Sequence, residues 1–427
     1  MLGQIAQSPT LILGPMRVAR DTWPEEVAKW EQFKHMRIVP LIGTPQRRVQ
    51  LLQKYIGCAD IFTISYDMAP WLVEHFLARW PFRQVVADES DRLKGFREKK
   101  GGVSLKTSGS GNSGLRAHQL GRVAHYMTDR WINLTGTPAP NGLKDLWGQT
   151  WYLDRGERLG RTHGAFMRRW FQRSWSGYGV DPLPFARDQI HAALKDICLT
   201  VDPNDYFDLE KPLVLPVKVK LPEKARKIYK QLEKELFAEF DDHEIDVFNA
   251  AALTNKCLQL ANGAVYTKYP EYAVVHNEKI QALESIQAES GGTPLLVAYQ
   301  FKSDKARILN AFPKAVDLAT AAGMSAFRSG NSPIGVAHPK SLGHGIDGLQ
   351  TVTNILVRFG HDWNLGERMQ MLERIGPMRQ MQAGLNRVVR VYDIIAEDTV
   401  DEDVIAAHEA KRSAQDALLI AMKRSKS

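Results

Sequence analysis

Cysteine is scarce in this chain: three in 427 residues, Cys58, Cys198 and Cys257, odd in number and far apart. There is no Cys-x-x-Cys pair and no Cys/His cluster, which argues against a structural zinc site and a disulfide scaffold and leaves reduced thiols. Long apolar runs are missing too. No stretch approaches the roughly 20 residues a membrane-spanning helix needs, and the start lacks the basic segment and apolar core of a leader. The expectation is a cytoplasmic protein with no membrane partner. No short-period repeat is visible. Neither sign of charge dominates: 56 Lys+Arg against 48 Asp+Glu leave +8, an excess that permits contact with phosphate backbones without requiring it.

What is present is ordinary globular composition, 44% hydrophobic and 24% charged, in a chain long enough for two cores. Short β-type runs alternate with amphipathic helical stretches, the pattern of an α/β protein with parallel sheets. Thr10–Leu13, Ile61–Ile64, Val85–Ala87 and Ile132–Leu134 are expected as buried strands, and Leu295–Ala298, Ile355–Val357 and Val388–Tyr392 as a second series. Between them Val217, Val219 and Leu221 alternate with lysines as in a half-buried strand. Pro222 then opens a helix with Ala225, Ile228, Tyr229, Leu232 and Leu236 on one face. A boundary near 205–215, around Pro203 and Pro212, divides the chain into a first lobe over 1–210, a second over 211–400 and a helical basic tail over 401–427. Residues 97–116, rich in Gly, Ser and Lys, read as a mobile loop, either touching a phosphate backbone or simply solvated.

The chemistry starts at Val85-Val86-Ala87-Asp88-Glu89-Ser90-Asp91, an apolar strand that delivers two carboxylates to its carboxyl end. Alone this string is common. It keeps ordered company: Leu13–Val18 with Trp23, Glu25 and Trp30; Ile64–Asp67; Leu134-Thr135-Gly136-Thr137-Pro138; Leu296–Phe301; Ser341–Gln350; Trp363-Asn364, Glu367, Gln370 and Arg374; and Gly376–Gln380. In this order and spacing the set resembles the Swi/Snf-like branch of superfamily-two helicases in its compact phage or prophage form, from about Leu11 to about Ile395.

The resemblance implies two RecA-like lobes with ATP and Mg2+ in the cleft between them. Asp88 would hold the magnesium shell and Glu89 would orient the attacking water. Arg374, with Arg379 standing in for the position that Pro377 occupies, would steady charge on the transferring phosphate. Gly345, Asp347 and Gln370 would join Arg374 around the nucleotide. Arg17, Ser65, Thr135, Thr137, Arg168, Arg169 and His344 would meet DNA, double-stranded or branched, without reading its sequence; if the chain is phage-encoded, the compartment is the host cytoplasm. Between 150 and 200 a helical insert interleaves Arg155, Arg158, Arg161, Arg168, Arg169 and Arg173 with Trp151, Phe166, Trp170, Phe171 and Trp175. That mixture suits a backbone-tracking surface and equally a small aromatic core with solvated arginines.

One part of the family pattern is missing. No Gly-Lys-Ser or Gly-Lys-Thr occurs anywhere, and the nearest string, Gly335–Ser341, has Pro339 before its lysine. Proline removes an amide that a phosphate cradle uses. Loss of a single preorganised donor costs ~10²–10³ in rate, so efficient turnover by these residues alone is not expected. The expectation is a first lobe truncated at its N-terminus, or an upstream polypeptide supplying the loop. A non-catalytic DNA-binding or regulatory module of the same shape is the alternative. A magnesium nuclease using Asp88, Glu89 and Asp91 would leave the later motifs unexplained.

Overall fold

The computed structural model describes residues 9–76, 79–97, 112–136, 138–139, 142–173, 180–200, 207–241, 247–342 and 347–410. The chain separates into two compact units that divide between residues 200 and 201.

The first unit is built on β1 (Thr10–Gly14), β2 (Ile38–Pro40), β3 (Ile61–Ser65), β4 (Gln84–Asp88) and β5 (Arg130–Leu134), in the spatial order β2-β3-β1-β4-β5. All four pairings are parallel, so Gly14, Pro40, Ser65, Asp88 and Leu134 all point to one edge. β1 and β3 are buried along their whole length. This is why they read as continuous apolar runs rather than alternating ones. Helices Pro45–Tyr55, Ala69–Phe76 and Asn112–Ala124 belong to this unit, and their Leu52, Leu72, Leu120 and Val123 enter the same core as the strands. Three further helices, Leu146–Asp154, His163–Trp170 and Ala186–Leu194, accompany an antiparallel hairpin of β6 (Phe171–Arg173) and β7 (Val180–Pro182).

The second unit holds β8 (Leu213–Val219), a hairpin of β9 (Ala264–Lys268) and β10 (Glu271–Val274), then β11 (Leu295–Ala298), β12 (Val316–Asp317), β13 (Ile334–Ala337), β14 (Ile355–Arg358) and β15 (Arg390–Ala396). Its main sheet runs β12-β13-β11-β14-β15-β8, again parallel throughout. The fold is therefore α/β, with two parallel sheets flanked by helices, as the alternation of runs implies. Among the described residues no helix is long and apolar enough to cross a membrane.

The differences from the sequence reading have physical causes. β15 continues past Tyr392 to Ala396 because Asp393, 2% exposed, is neutralised inside the sheet by Arg358 at 3.3 Å and Arg368 at 2.6 Å. Val388, expected in that strand, stands outside it and is exposed. Ile228 is also exposed, whereas Ala225 and Tyr229 on the same helix are buried. The helix from Asn112 begins inside the segment expected to be loop. Its Ala117, Leu120, Val123 and Ala124 pack into the core at helical spacing, and that burial outweighs the polar start. The rest of that segment, residues 98–111, lies outside the described residues, as does the basic tail from 411 onward; residues 400–410 are helical.

Candidate functional site

β4 emerges from the core of the first unit at Asp88. The indole Nε1 of Trp23 donates to Asp88 Oδ2 at 2.9 Å, and the Tyr66 hydroxyl donates to the Asp88 backbone carbonyl at 2.9 Å. Tyr66 is 1% exposed. Burial, reinforced by the charges of Asp88 and Asp91, pushes its phenol well above the usual tyrosine range, so it remains a neutral donor. Trp23 thus orients the carboxylate, while Tyr66 holds the backbone that carries it.

The next residue, Glu89, has φ 58° and ψ 54°, the left-handed region. For a residue with a Cβ this conformation costs roughly 1–2 kcal/mol and persists only where the surroundings impose it. The surroundings are visible. Ser90 is fully buried, and its hydroxyl donates to Gln149 Oε1 at 3.0 Å. The Gln149 amide donates in turn to the carbonyls of Pro138 at 2.6 Å and Asp145 at 3.1 Å, and Asn133 Nδ2 on β5 donates to the Gln149 carbonyl at 2.9 Å. Gly148 makes this possible, since a Cβ there would stand 2.6 Å from the Lys94 carbonyl and 2.8 Å from that of Leu93. The turn after Glu89 is therefore pinned to the turn after β5 through one glutamine. Asp91, its carboxyl raised by burial and partly offset by Lys94 at 3.3 Å, completes the segment.

Magnesium suits this arrangement. It keeps several waters and takes one or two protein carboxylates beside substrate phosphates, so a single oriented Asp88 fits. Among the described residues no group of three His, Cys, Asp or Glu side chains gathers as a closed metal cage.

In the second unit, helix Leu365–Glu373 carries Gln370 and ends at Arg374. Asn364 caps it reciprocally: its side chain accepts from the Glu367 amide at 3.3 Å and donates to Glu367 Oε1 at 2.7 Å. Pro377 then opens a new helix, Pro377–Gln382, so Arg379 sits on a different element from Arg374. Arg379 pairs with Asp347 at 2.5 Å. Burial acts to raise the Asp347 carboxyl, but the Gly348 amide, the Gln350 side chain and Arg379 together hold it below the usual carboxylate range. Gln380 anchors the second helix by donating to the Thr353 and Ile375 carbonyls.

The remaining expected residues are dispersed. Arg17 follows β1 in the short helical segment, and Ser65 is 3% exposed at the end of β3. Thr135 directly follows β5. Arg168 and Arg169 are exposed on helix His163–Trp170, Arg169 lying 4.3 Å over the Trp170 ring. The neighbouring aromatics Trp151, Phe166, Trp170 and Phe171 are buried in the core of the unit, so of the two readings of that segment they serve the aromatic core. Thr137, Gly345, His344 and Trp175 lie outside the described residues. Sequence reasoning quoted Trp23 and Tyr66 only as company for other motifs, and missed Asn133 and Gln149. The available signal for Gln149 was its place as the uncharged amide in an otherwise largely apolar helix, LWGQTWYLD.

These features define a class of fold, an α/β protein with Asp88 and Glu89 at the carboxyl edge of a parallel sheet. Within it, the chain belongs to the family of a phage protein, "Putative protein p41" of Acyrthosiphon pisum secondary endosymbiont phage 1. The two are 47% identical over 424 residues, covering 97% of this chain and 88% of that one. It is also similar in sequence to SWI/SNF-related proteins. It is 22% identical over 450 residues to the mouse (Mus musculus) SWI/SNF-related matrix-associated actin-dependent regulator of chromatin subfamily A member 1, with 94% of this chain covered. The chain spans 38% of the length of that relative. No family model matches. Among solved structures, a Sulfolobus solfataricus SWI2/SNF2 ATPase core in complex with dsDNA aligns over 100% of this chain and 85% of that one, at 20% identity and a TM-score of 0.39. The corresponding core domain aligns over 95% and 79%, at 18% identity and a TM-score of 0.36.

Proposed function

We propose that this chain is the main part of a Snf2-like, ATP-dependent DNA translocase or helicase. Asp88 would hold Mg2+, Glu89 would orient the attacking water, and Arg374 would steady charge on the transferring phosphate. Mg2+, when bound, neutralises phosphate charge; the chain's own part is to orient the Asp88 carboxylate through Trp23, to fix its backbone carbonyl through Tyr66 and to hold Glu89 in its left-handed conformation. That strained backbone at Glu89, in a turn pinned through Ser90, Gln149 and Pro138, is the observation that carries the reading, since strain of this kind concentrates at working sites. Arg379, committed to Asp347, would position the segment around Gly345 and Asp347 and act less directly. Gln370 would share the nucleotide, and Arg17, Ser65, Thr135, Thr137, Arg168, Arg169 and His344 would meet DNA.

The absence of Gly-Lys-Ser/Thr from these 427 residues shapes the test. Hydrolysis of ATP by the purified chain with duplex DNA is expected to be slow and to rise when a polypeptide bearing such a loop is added. Glu89→Gln is expected to lower the stimulated rate by ~10²–10³. The same missing motif favours a second reading, a non-catalytic DNA-binding module. Glu89-dependent turnover under either condition would exclude it.

A further inference from the structure

A groove unconnected with the acidic pair runs along the outer edge of β2. Its volume is about 710 Å³, and its lining includes Arg20, Arg37, Ile38, Arg47, Leu51 and Tyr55, with no carboxylate. Arg47, Leu51 and Tyr55 are four residues apart and share one face of helix Pro45–Tyr55. They line about 12 Å of groove at 1.5 Å rise per residue. Gly43, at φ +98°, lets the Arg47 side chain lie across the loop; a Cβ there would stand 2.9 Å from Arg47 Cδ. Arg48, 6% exposed, fixes that loop from behind by donating to the Gly43 carbonyl at 2.8 Å. Two acids lie near. Asp21 pairs with the exposed Arg20 at 2.8 Å, and Asp60 accepts from the Arg37 backbone amide at 2.8 Å, so the three guanidinium charges outnumber the nearby carboxylates.

The edge itself discriminates between occupants. The Arg37 carbonyl and Leu41 amide bond to the β3 side, so by alternation Ile38 and Pro40 face the groove. Pro40 has no N–H to offer, and its carbonyl already accepts from Ile42 at 3.1 Å. An added peptide strand would find little of a ladder there. A polyanion needs no ladder. Its phosphates need only cations along their path, and three arginines line this groove.

We infer that the groove between β2 and helix Pro45–Tyr55 binds the phosphodiester backbone of DNA through Arg20, Arg37 and Arg47. The inference rests on the DNA-binding reading above and adds a contact separate from Arg168 and Arg169. The test is anisotropy titration of labelled mixed-sequence duplex DNA with the full chain over a range of salt, using three double variants. Arg37→Ala/Arg47→Ala is expected to weaken binding about 10-fold and to lower the log K against log salt slope by about 2. Arg37→Lys/Arg47→Lys should restore the slope, separating charge from fold; both arginines are exposed, so melting temperatures should not move. If the wild type binds DNA and the alanine pair matches it in affinity and slope, while Arg168→Ala/Arg169→Ala weakens it, the groove inference is overturned and the general reading stands. No DNA binding by the wild type overturns both. Displacement of DNA by polyglutamate at equal charge concentration would assign the groove to acidic peptides instead.

Discussion

Glu89 shows how much one residue can reveal. It occupies a conformation that glycine would adopt without penalty, yet it carries a carboxylate, so strain is retained where an acid is needed. Glu89→Gly is therefore expected to leave stability unchanged or raise it by up to about 1 kcal/mol, while removing DNA-stimulated turnover. A matched fall in both would mean that the residue is structural. Trp23 belongs to the same scale. Its indole donates to the Asp88 carboxylate, and Trp23→Phe keeps the ring while deleting the donor. Partners of this kind are worth 10–100-fold in metal affinity or activity, and the loss should appear as a higher Mg2+ concentration for half-maximal turnover with an unchanged melting temperature. The acidic pair was legible in sequence as an apolar run ending in Asp-Glu. Its supports were not, because Trp23, Tyr66 and Gln149 reach it from 65, 22 and 59–60 positions away, and nothing local announces such contacts.

At the scale of elements, β1, β3, β4, β11 and β14 were readable because parallel strands buried on both faces are unbroken apolar runs; β5 was found from Ile132–Leu134 but, as the edge strand of its sheet, is only partly buried and not the buried strand expected. β2 was not, being three residues ending in proline, and β15 was cut short at Asp393. These two are polar or backbone-restricted residues accommodated by tertiary partners; the short strands β12 and β13 were not anticipated either, although β13 is buried along its length. The second unit has a further polar centre of this sort. Lys279 and Asp401, both with fully buried side chains, pair at 2.6 Å; Lys279 also donates to Asn262 Oδ1 at 2.8 Å and the Phe359 carbonyl at 3.2 Å. Asn262 continues to Asp304 at 2.9 Å. This cluster ties the helix Glu278–Glu289 to the segments after β14 and β15. Removing one partner leaves a buried charge, so Lys279→Met should cost about 3–5 kcal/mol, and Lys279→Met/Asp401→Leu less than the sum of the singles. Urea unfolding of the three variants checks this. Strict additivity would show that the pair is not a unit.

For the whole molecule, two buried histidines set an acid limit. His276 and His361 are 5% and 2% exposed, and burial pushes both imidazoles down to about 4. Unfolded histidine binds its proton near 6.5, so stability is lost as pH falls from about 6.5 to about 4, on the order of 3 kcal/mol each. Asp304 opposes them: burial raises its carboxyl to about 6, so acidification from 6 to 4 favours the folded state by a similar amount. His163, which is more exposed, is also lowered to about 4 by burial and adds to the loss. The net expectation is therefore a loss of at least roughly 3 kcal/mol over that window, visible as a falling urea midpoint. A flat profile would mean the imidazoles are not held neutral. The proposed reading of the chain as a motor rests on ordered motifs spread over both units, a pattern sequence can display because order along the chain survives even where individual strings are weak. The central claim is that Asp88 and Glu89 belong to an ATP-driven DNA motor. It is tested most directly by DNA-stimulated ATP hydrolysis of the full chain, alone and with a polypeptide bearing a Gly-Lys-Thr loop, in wild type and Glu89→Gln. Stimulation that disappears with Glu89 in the supplemented reaction is the predicted result; equal rates for the two proteins in both reactions would contradict it.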